Sequence, residues 1–204
     1  MTSKRLTDQI ELSLFAALIF ISVELLRIPV GAQFIHLGNA LVVVAVLLYG
    51  ARRAALVAAI GLGLFDMING YAAVVWITVL EALVVCYLLH VIYEKLLKSV
   101  DKPMIIVAIG LLAAAAKLVM NLVKYSLIAY FGAQLPLSVA LWAALGKIGG
   151  SLGTALVTVI AVPLLYPVFK QLRQAVKSKK RVIGLVELTL LAVSSFLLSK
   201  PINN

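Results

Sequence analysis

FIHLGNALVVVAVLLYGARRAALVAAIGLGLFDMINGY, residues 34–71, decides the fold. It holds two apolar runs, 38–50 and 53–67, parted only by the turn Gly50-Ala51-Arg52-Arg53. Both fall short of the ~20 apolar residues that cross a bilayer unaided. Short helices are tolerated at membrane depth where neighbours or a cavity cover their ends. The pair therefore predicts two short helices set among longer ones in a membrane bundle.

Outward from this stretch, apolar runs at 10–27, 73–94, 104–131 and 138–168 complete a set of six. The chain is 64% hydrophobic and only 13% charged, with a mean hydropathy of +1.13. Soluble domains carry about 25% charged residues, so the fold class is an all-α integral membrane protein, a six-transmembrane-helix bundle. Residues 1–181 read as one membrane domain with no linker inside it, and 182–204 as an apolar C-terminal segment. That segment is either a seventh span or a helix lying along the inner surface. The single Cys86 lies within an apolar run and founds no disulfide framework. A net charge of +10 could suggest nucleic acid, but the basic residues punctuate apolar spans and form no patch with interleaved aromatics. No nucleic-acid partner is expected.

Basic residues set the orientation. Alternate connections carry Lys4 and Arg5, then Arg52 and Arg53, then Lys95, Lys98 and Lys102, then a cluster from Lys170 to Arg181. The opposite connections carry little beyond Arg27. The positive-inside rule puts the N-terminus in the cytoplasm of a multi-pass protein of the cell membrane. Lys4 and Arg5 before an apolar run also resemble a signal peptide, but without a small-residue cleavage site before Arg27 a retained first helix is expected.

Within this apolar background the charges are the informative residues. A charge at bilayer depth costs roughly 3 kcal/mol or more, so it usually faces a protein interior or an aqueous cavity. Lys117, Asn121 and Lys124 are spaced by four and three, which puts them on one face of the fifth helix. Lys117 lies about 20 Å along that helix from Met104, too deep for snorkelling to be the simpler account. Lys124 is close enough to the outer end to line a cavity or to anchor at the interface. Lys147, Ser151 and Thr154 share a face of the sixth helix, and Thr78 and Glu81 a face of the fourth. Glu81 is either a ligand acceptor or the structural partner of a lysine. Trp76 is either an interfacial aromatic or a stacking wall. Gln33, Phe34, His36 and Asn39 on the first outer connection, with Asp66, Asn69 and Tyr71, form a polar ring at the outer end.

Several chemistries are not supported. GKIGGSLGT (146–154) is no phosphate loop, because its lysine is not followed by Ser or Thr and it lies mid-span. Its glycines four apart suit close helix packing. No HExxH, Cys/His cluster or nucleophile elbow occurs, so neither a metal site nor an enzyme is expected.

The order H-x-G-N-A (36–40), short apolar helix, glycine-basic turn and D-x-x-x-G-Y (66–71) resembles the substrate-binding subunit (S component) of energy-coupling factor (ECF) vitamin transporters. The resemblance covers roughly Thr7 to Val176. It implies a pocket open to the outside, built from the first outer loop and the outer parts of helices four to six, where Gln33, His36, Asn39, Trp76, Glu81, Lys117, Asn121 and Lys147 fall; Phe34, Asp66 and Tyr71 of the polar ring complete the expected site. It also implies docking on a transmembrane scaffold (T) subunit that carries two ATPase subunits, with ATP bound there and no cofactor in this chain. Small residues on helix one form that contact in the family, and here Ser13 and Ala17 stand four apart, where two alanines are typical. Three intramembrane lysines against Glu81 and Asp66 leave a modest positive excess, suiting a carboxylate, phosphate or acidic hydroxyl. Phe34, Tyr71 and Trp76 would wall a small ring. Within the family the nearest ligands are the hydroxymethylpyrimidine thiamin precursor and vitamin B6 compounds, with pantothenate as the alternative.

Overall fold

The apolar runs become helices, and Gly50 parts α2 from α3. The computed structural model describes residues 2–31 and 33–198, with side chains for 6–31 and 33–178. The order is α1 (Thr2–Leu26), β1 (Ile28–Val30), β2 (Gln33–Ile35), α2 (Gly38–Tyr49), α3 (Ala51–Ile68), α4 (Val75–Leu89), α5 (Pro103–Leu127), α6 (Leu137–Lys147) and α7 (Gly149–Leu198). A 3₁₀ turn, Ala72–Val74, leads into α4, and π-helical turns His90–Leu96 and Ile128–Gly132 extend α4 and α5. Pro103 opens α5, where its missing N–H costs nothing. Leu6–Leu26, Ala72–Leu96, Pro103–Gly132 and Gly149–Ser178 are long and apolar enough to cross a membrane, and α2 and α6 are shorter apolar helices.

The chain divides into two compact units, Met1–Tyr166 and Pro167–Asn204. The second is helical through Leu198. Side chains of the apolar C-terminal segment 182–204 lie outside the described residues.

In the first unit α2 is the central element. Ala40 through Val46 are all buried, so the helix is apolar on every side and touches α1, α3, α4 and α5. A helix enclosed in this way needs no solvated stripe, which explains a run that is short and lacks polar spacing. Ile19 and Val23 of α1, Leu89 of α4, Ile109 of α5 and Val162 of α7 complete a core with almost no exposure. Gly50 makes the α2–α3 turn at φ +86°, a left-handed conformation that favours glycine. The next residue's N–H, on Ala51, donates to Glu94 Oε1 at 2.6 Å, which caps α3. Arg53 pairs with Asp8 at 3.7 Å. These contacts gather the N-terminal helix, the start of α3 and the π-helical turn after α4 at one end of the bundle.

Helix α1 crosses α3 at Gly61. A Cβ there would lie 2.7 Å from the Ala16 carbonyl oxygen and 2.9 Å from Ile19 Cβ. Backbone cannot yield as a side-chain tip can. Gly61→Ala is expected to destabilise the bundle by about 1–3 kcal/mol, read as a lower melting temperature in detergent.

Two features depart from the all-α, six-helix expectation. The connection 28–37 contains an antiparallel hairpin, with Ile28 paired to Ile35, Pro29 to Phe34 and Val30 to Gln33. The expected continuous helix 138–168 is broken at Ile148 into α6 and α7. Gly146, Gly149 and Gly150 surround that break, where helix propensity is weakest. The break also exposes the first N–H groups of α7, and the hairpin supplies a partner: Gln33 Oε1 accepts from Ser151 N–H at 2.7 Å.

Candidate functional site

Helices α1 to α5, the hairpin and α7 contribute to one cavity of about 190 Å³, at the bundle end away from the Asp8–Arg53 contact. Its charged side is built by α4 and α5. Glu81 is 5% exposed and would be costly there alone. Lys117 and Lys124, seven residues and so two turns apart on α5, both reach it. Lys117 Nζ bonds to Glu81 Oε2, and Lys124 Nζ lies 2.8 Å from Oε1. The same triad explains the depth of Lys117 and places Lys124 on the cavity wall. Val43, Ile109, Ala113 and Leu89 are buried in the core of the same bundle.

A second wall joins three elements that are distant in sequence. Asn121 of α5 donates to Ser151 Oγ at 2.7 Å, and that hydroxyl donates to Gln33 Oε1 at 2.8 Å. One turn on, Thr154 donates to the Phe34 carbonyl at 3.0 Å, and His36 N–H donates to the Thr154 hydroxyl at 3.4 Å. The hairpin can lie so close to α7 because Gly150 and Gly153 face it. A Cβ on Gly150 would sit 2.6 Å from Gln33 Cβ, and one on Gly153 would meet the Ile35 side chain. The glycines that read as helix-packing residues in the sequence are a seat for the hairpin.

His36 serves mainly to begin α2, its Nδ1 accepting from Gly38 N–H at 3.1 Å. Burial, and secondarily the Lys117 ammonium, bring its pKa down to about 4. The ring is therefore neutral at physiological pH, and with Nδ1 accepting, the proton resides on Nε2.

Aromatic rings frame the mouth. Phe34 and Tyr71 meet edge to face at 6.2 Å, and Phe65 stacks on Tyr71 at 6.3 Å. The Arg27 guanidinium lies 5.2 Å from the Phe34 centroid and 5.0 Å from that of Phe65. Glu24 holds Arg27 at 3.6 Å and accepts from Asn69 Nδ2 at 2.7 Å. Asn69 thus braces the rim and does not line the cavity.

Of the residues expected to form the pocket, Gln33, Phe34, His36, Asn39, Asp66, Tyr71, Glu81, Lys117 and Asn121 come together on its walls. Trp76 and Lys147 do not. Trp76 is 63% exposed, its ring N–H donating to the Ala73 carbonyl. Lys147 ends α6 just before the break and is exposed. Without Lys147, two lysines face two carboxylates, so the positive excess inferred from the sequence is absent. Thr78, Tyr125, Ser151, Thr154 and Phe65 complete the walls. Thr78 and Thr154 were visible as face-mates of Glu81 and Ser151, whereas Phe65 and Tyr125 carry no signal apart from their neighbours. Among the described residues no three His, Cys, Asp or Glu side chains gather as a metal site requires. The cavity's chemistry is that of hydrogen bonding, paired charge and ring stacking.

The family model described as ECF-type riboflavin transporter, S component, matches residues 5–173, a range containing every cavity residue. The chain belongs to that family. S components are substrate-binding transporter subunits and not enzymes; they bind small vitamins and associate with a T component and ATPase subunits. As an S component, this chain is a multi-pass membrane protein. No curated protein and no solved structure matches it.

Proposed function

We propose that this S component captures a small water-soluble ring compound, hydroxymethylpyrimidine- or pyridoxine-like, from outside the cell for ATP-driven import. The observation that carries the reading is the polar cavity with aromatic walls at the bundle end away from the N-terminus. Its volume of about 190 Å³ is below the ~300–1,000 Å³ of sites for drug-sized ligands, which favours a single ring. A flavin is the second reading, favoured by the description of the matching family. Pantothenate loses support because Lys147, one of the lysines that would have answered its carboxylate, is not on the wall.

In this reading the bundle crosses the membrane six times with its N-terminus in the cytoplasm. The Lys4, Arg52–Arg53 and Lys95–Lys102 segments then face inward. The hairpin covers the loaded site, and the T scaffold with its two ATPase subunits supplies the ATP-dependent step that releases ligand inside. No cofactor is needed in this chain.

Ser13 and Ala17 are exposed on the outer face of α1, in line with Leu6, Ile10, Leu14 and Ile21. Small residues there let another helix approach closely, and this face is the proposed scaffold contact. Ala17→Trp is expected to abolish co-purification of the scaffold and ATPases and to leave ligand affinity within about twofold of wild type, since neither Ser13 nor Ala17 lines the cavity. The function is tested by ATP-dependent uptake in vesicles carrying the co-expressed subunits. Uptake of a vitamin supports it; a folded chain that recruits neither scaffold nor ATPases argues against it.

A further inference from the structure

The charges in the cavity are not evenly placed. At one side two ammonium groups, on Lys117 and Lys124, share the single carboxylate of Glu81. The compensating charge is on Asp66, at the end of α3. Asp66 is 7% exposed and lines the cavity, yet its Oδ2 has no hydrogen-bond partner among the described residues. The Thr78 hydroxyl is the side-chain donor beside this carboxylate, which leaves Oδ2 as an acceptor with nothing to accept. Buried polar atoms are nearly always satisfied, so an orphan calls for an explanation. Lys124, on the same cavity wall, is paired with Glu81. What remains is a site with an unanswered acceptor at one edge and surplus ammonium charge at another, and no net charge.

This rests on the reading of the cavity as a vitamin site and deepens it. We propose that Asp66 is the specificity-determining residue of the cavity, accepting through Oδ2 a hydrogen bond from an N–H of the ligand. The lysine side faces the ligand's acceptor edge. The ligand is then a heterocycle with no net charge, carrying an N–H donor and an acceptor on different edges. An anion would place negative charge against Asp66, with no third lysine to compensate. Aromatic rings at Phe34, Phe65 and Tyr71 would hold the ring plane while Asp66 sets its orientation.

The test is calorimetric titration of the detergent-purified full chain with matched probes, each paired with the analogue lacking its N–H. Hydroxymethylpyrimidine is paired with its desamino form, pyridoxine with its carbocyclic form, and riboflavin with its imide-methylated form; pantothenate is the anionic probe. The expected result is that the probe bound by wild type outbinds its partner by about tenfold or more, the worth of a hydrogen bond to a charged group. Asp66→Asn should shrink that ratio to about twofold by removing the charge. Equal affinity within the pair, an unchanged ratio in Asp66→Asn, or binding of pantothenate alone overturns the assignment while leaving a vitamin site in place. If wild-type protein binds no probe, the vitamin reading itself fails and this inference with it. The wild-type comparison needs no variant, so a poorly folded Asp66→Asn leaves the assignment open to refutation.

Discussion

Glu81→Gln is expected to cost about 3 kcal/mol of stability and to remove measurable ligand binding. In the native protein two ammonium groups converge on one carboxylate whose side chain is only 6% exposed. An amide keeps the shape but cancels the charge that makes their approach favourable. Lys117, 18% exposed, cannot easily move to water. The lysines must then separate, and the wall that they form separates with them. Removing one partner from a buried group of charges is more damaging than removing a neutral pair, because it leaves charge uncompensated. Lys117→Gln in the same background should therefore recover part of the stability, a non-additivity that a double-mutant cycle measures. Thermal unfolding of the four proteins gives the answer. Additive losses would mean that the triad is not one electrostatic unit.

The second large effect is expected at Gly150. A methyl group there would stand 2.6 Å from Gln33 Cβ and 3.3 Å from its carbonyl carbon. The hairpin would have to lift, and with it the Gln33 bonds to the Ser151 amide and hydroxyl. Each such bond is worth about 1 kcal/mol net, so lifting the hairpin should weaken ligand binding by about tenfold or more. Global stability should change much less, because the core of α2, α3 and α5 is not touched. Hydrogen exchange over residues 28–36 should accelerate in Gly150→Ala while that of α2 stays slow. Uniform acceleration would show that the hairpin belongs to the core and is not a separate cover.

What the sequence disclosed and what it concealed follow from the range of the interactions. The Lys117, Asn121, Lys124 face was legible because helical spacing is local, and the structure puts all three on the cavity wall. The shortness of 38–50 and 53–67 was legible too, since span length is a count of residues. The break at Ile148 was not. Its helix-weakening glycines also form a packing motif, and what stabilises the new helix end is Gln33, 118 residues away. That misreading carried Lys147 into the site, because on an unbroken helix it shares a face with Ser151 and Thr154. Trp76 was misplaced for a related reason: an aromatic near a helix start suits a cavity or an exposed rim equally well, and only the fold chooses. The charge balance changed once Lys147 left the site, and with it the expected character of the ligand.

The proposed occupant of this cavity is a small vitamin-like ring. Native mass spectrometry of the full chain, extracted gently from its own membranes, tests it most directly. One small heterocycle is expected bound per chain, present in wild type and Ala17→Trp and absent from Glu81→Gln. A folded wild-type chain that carries no small molecule, and takes up none when incubated with hydroxymethylpyrimidine, pyridoxine or riboflavin, would contradict it.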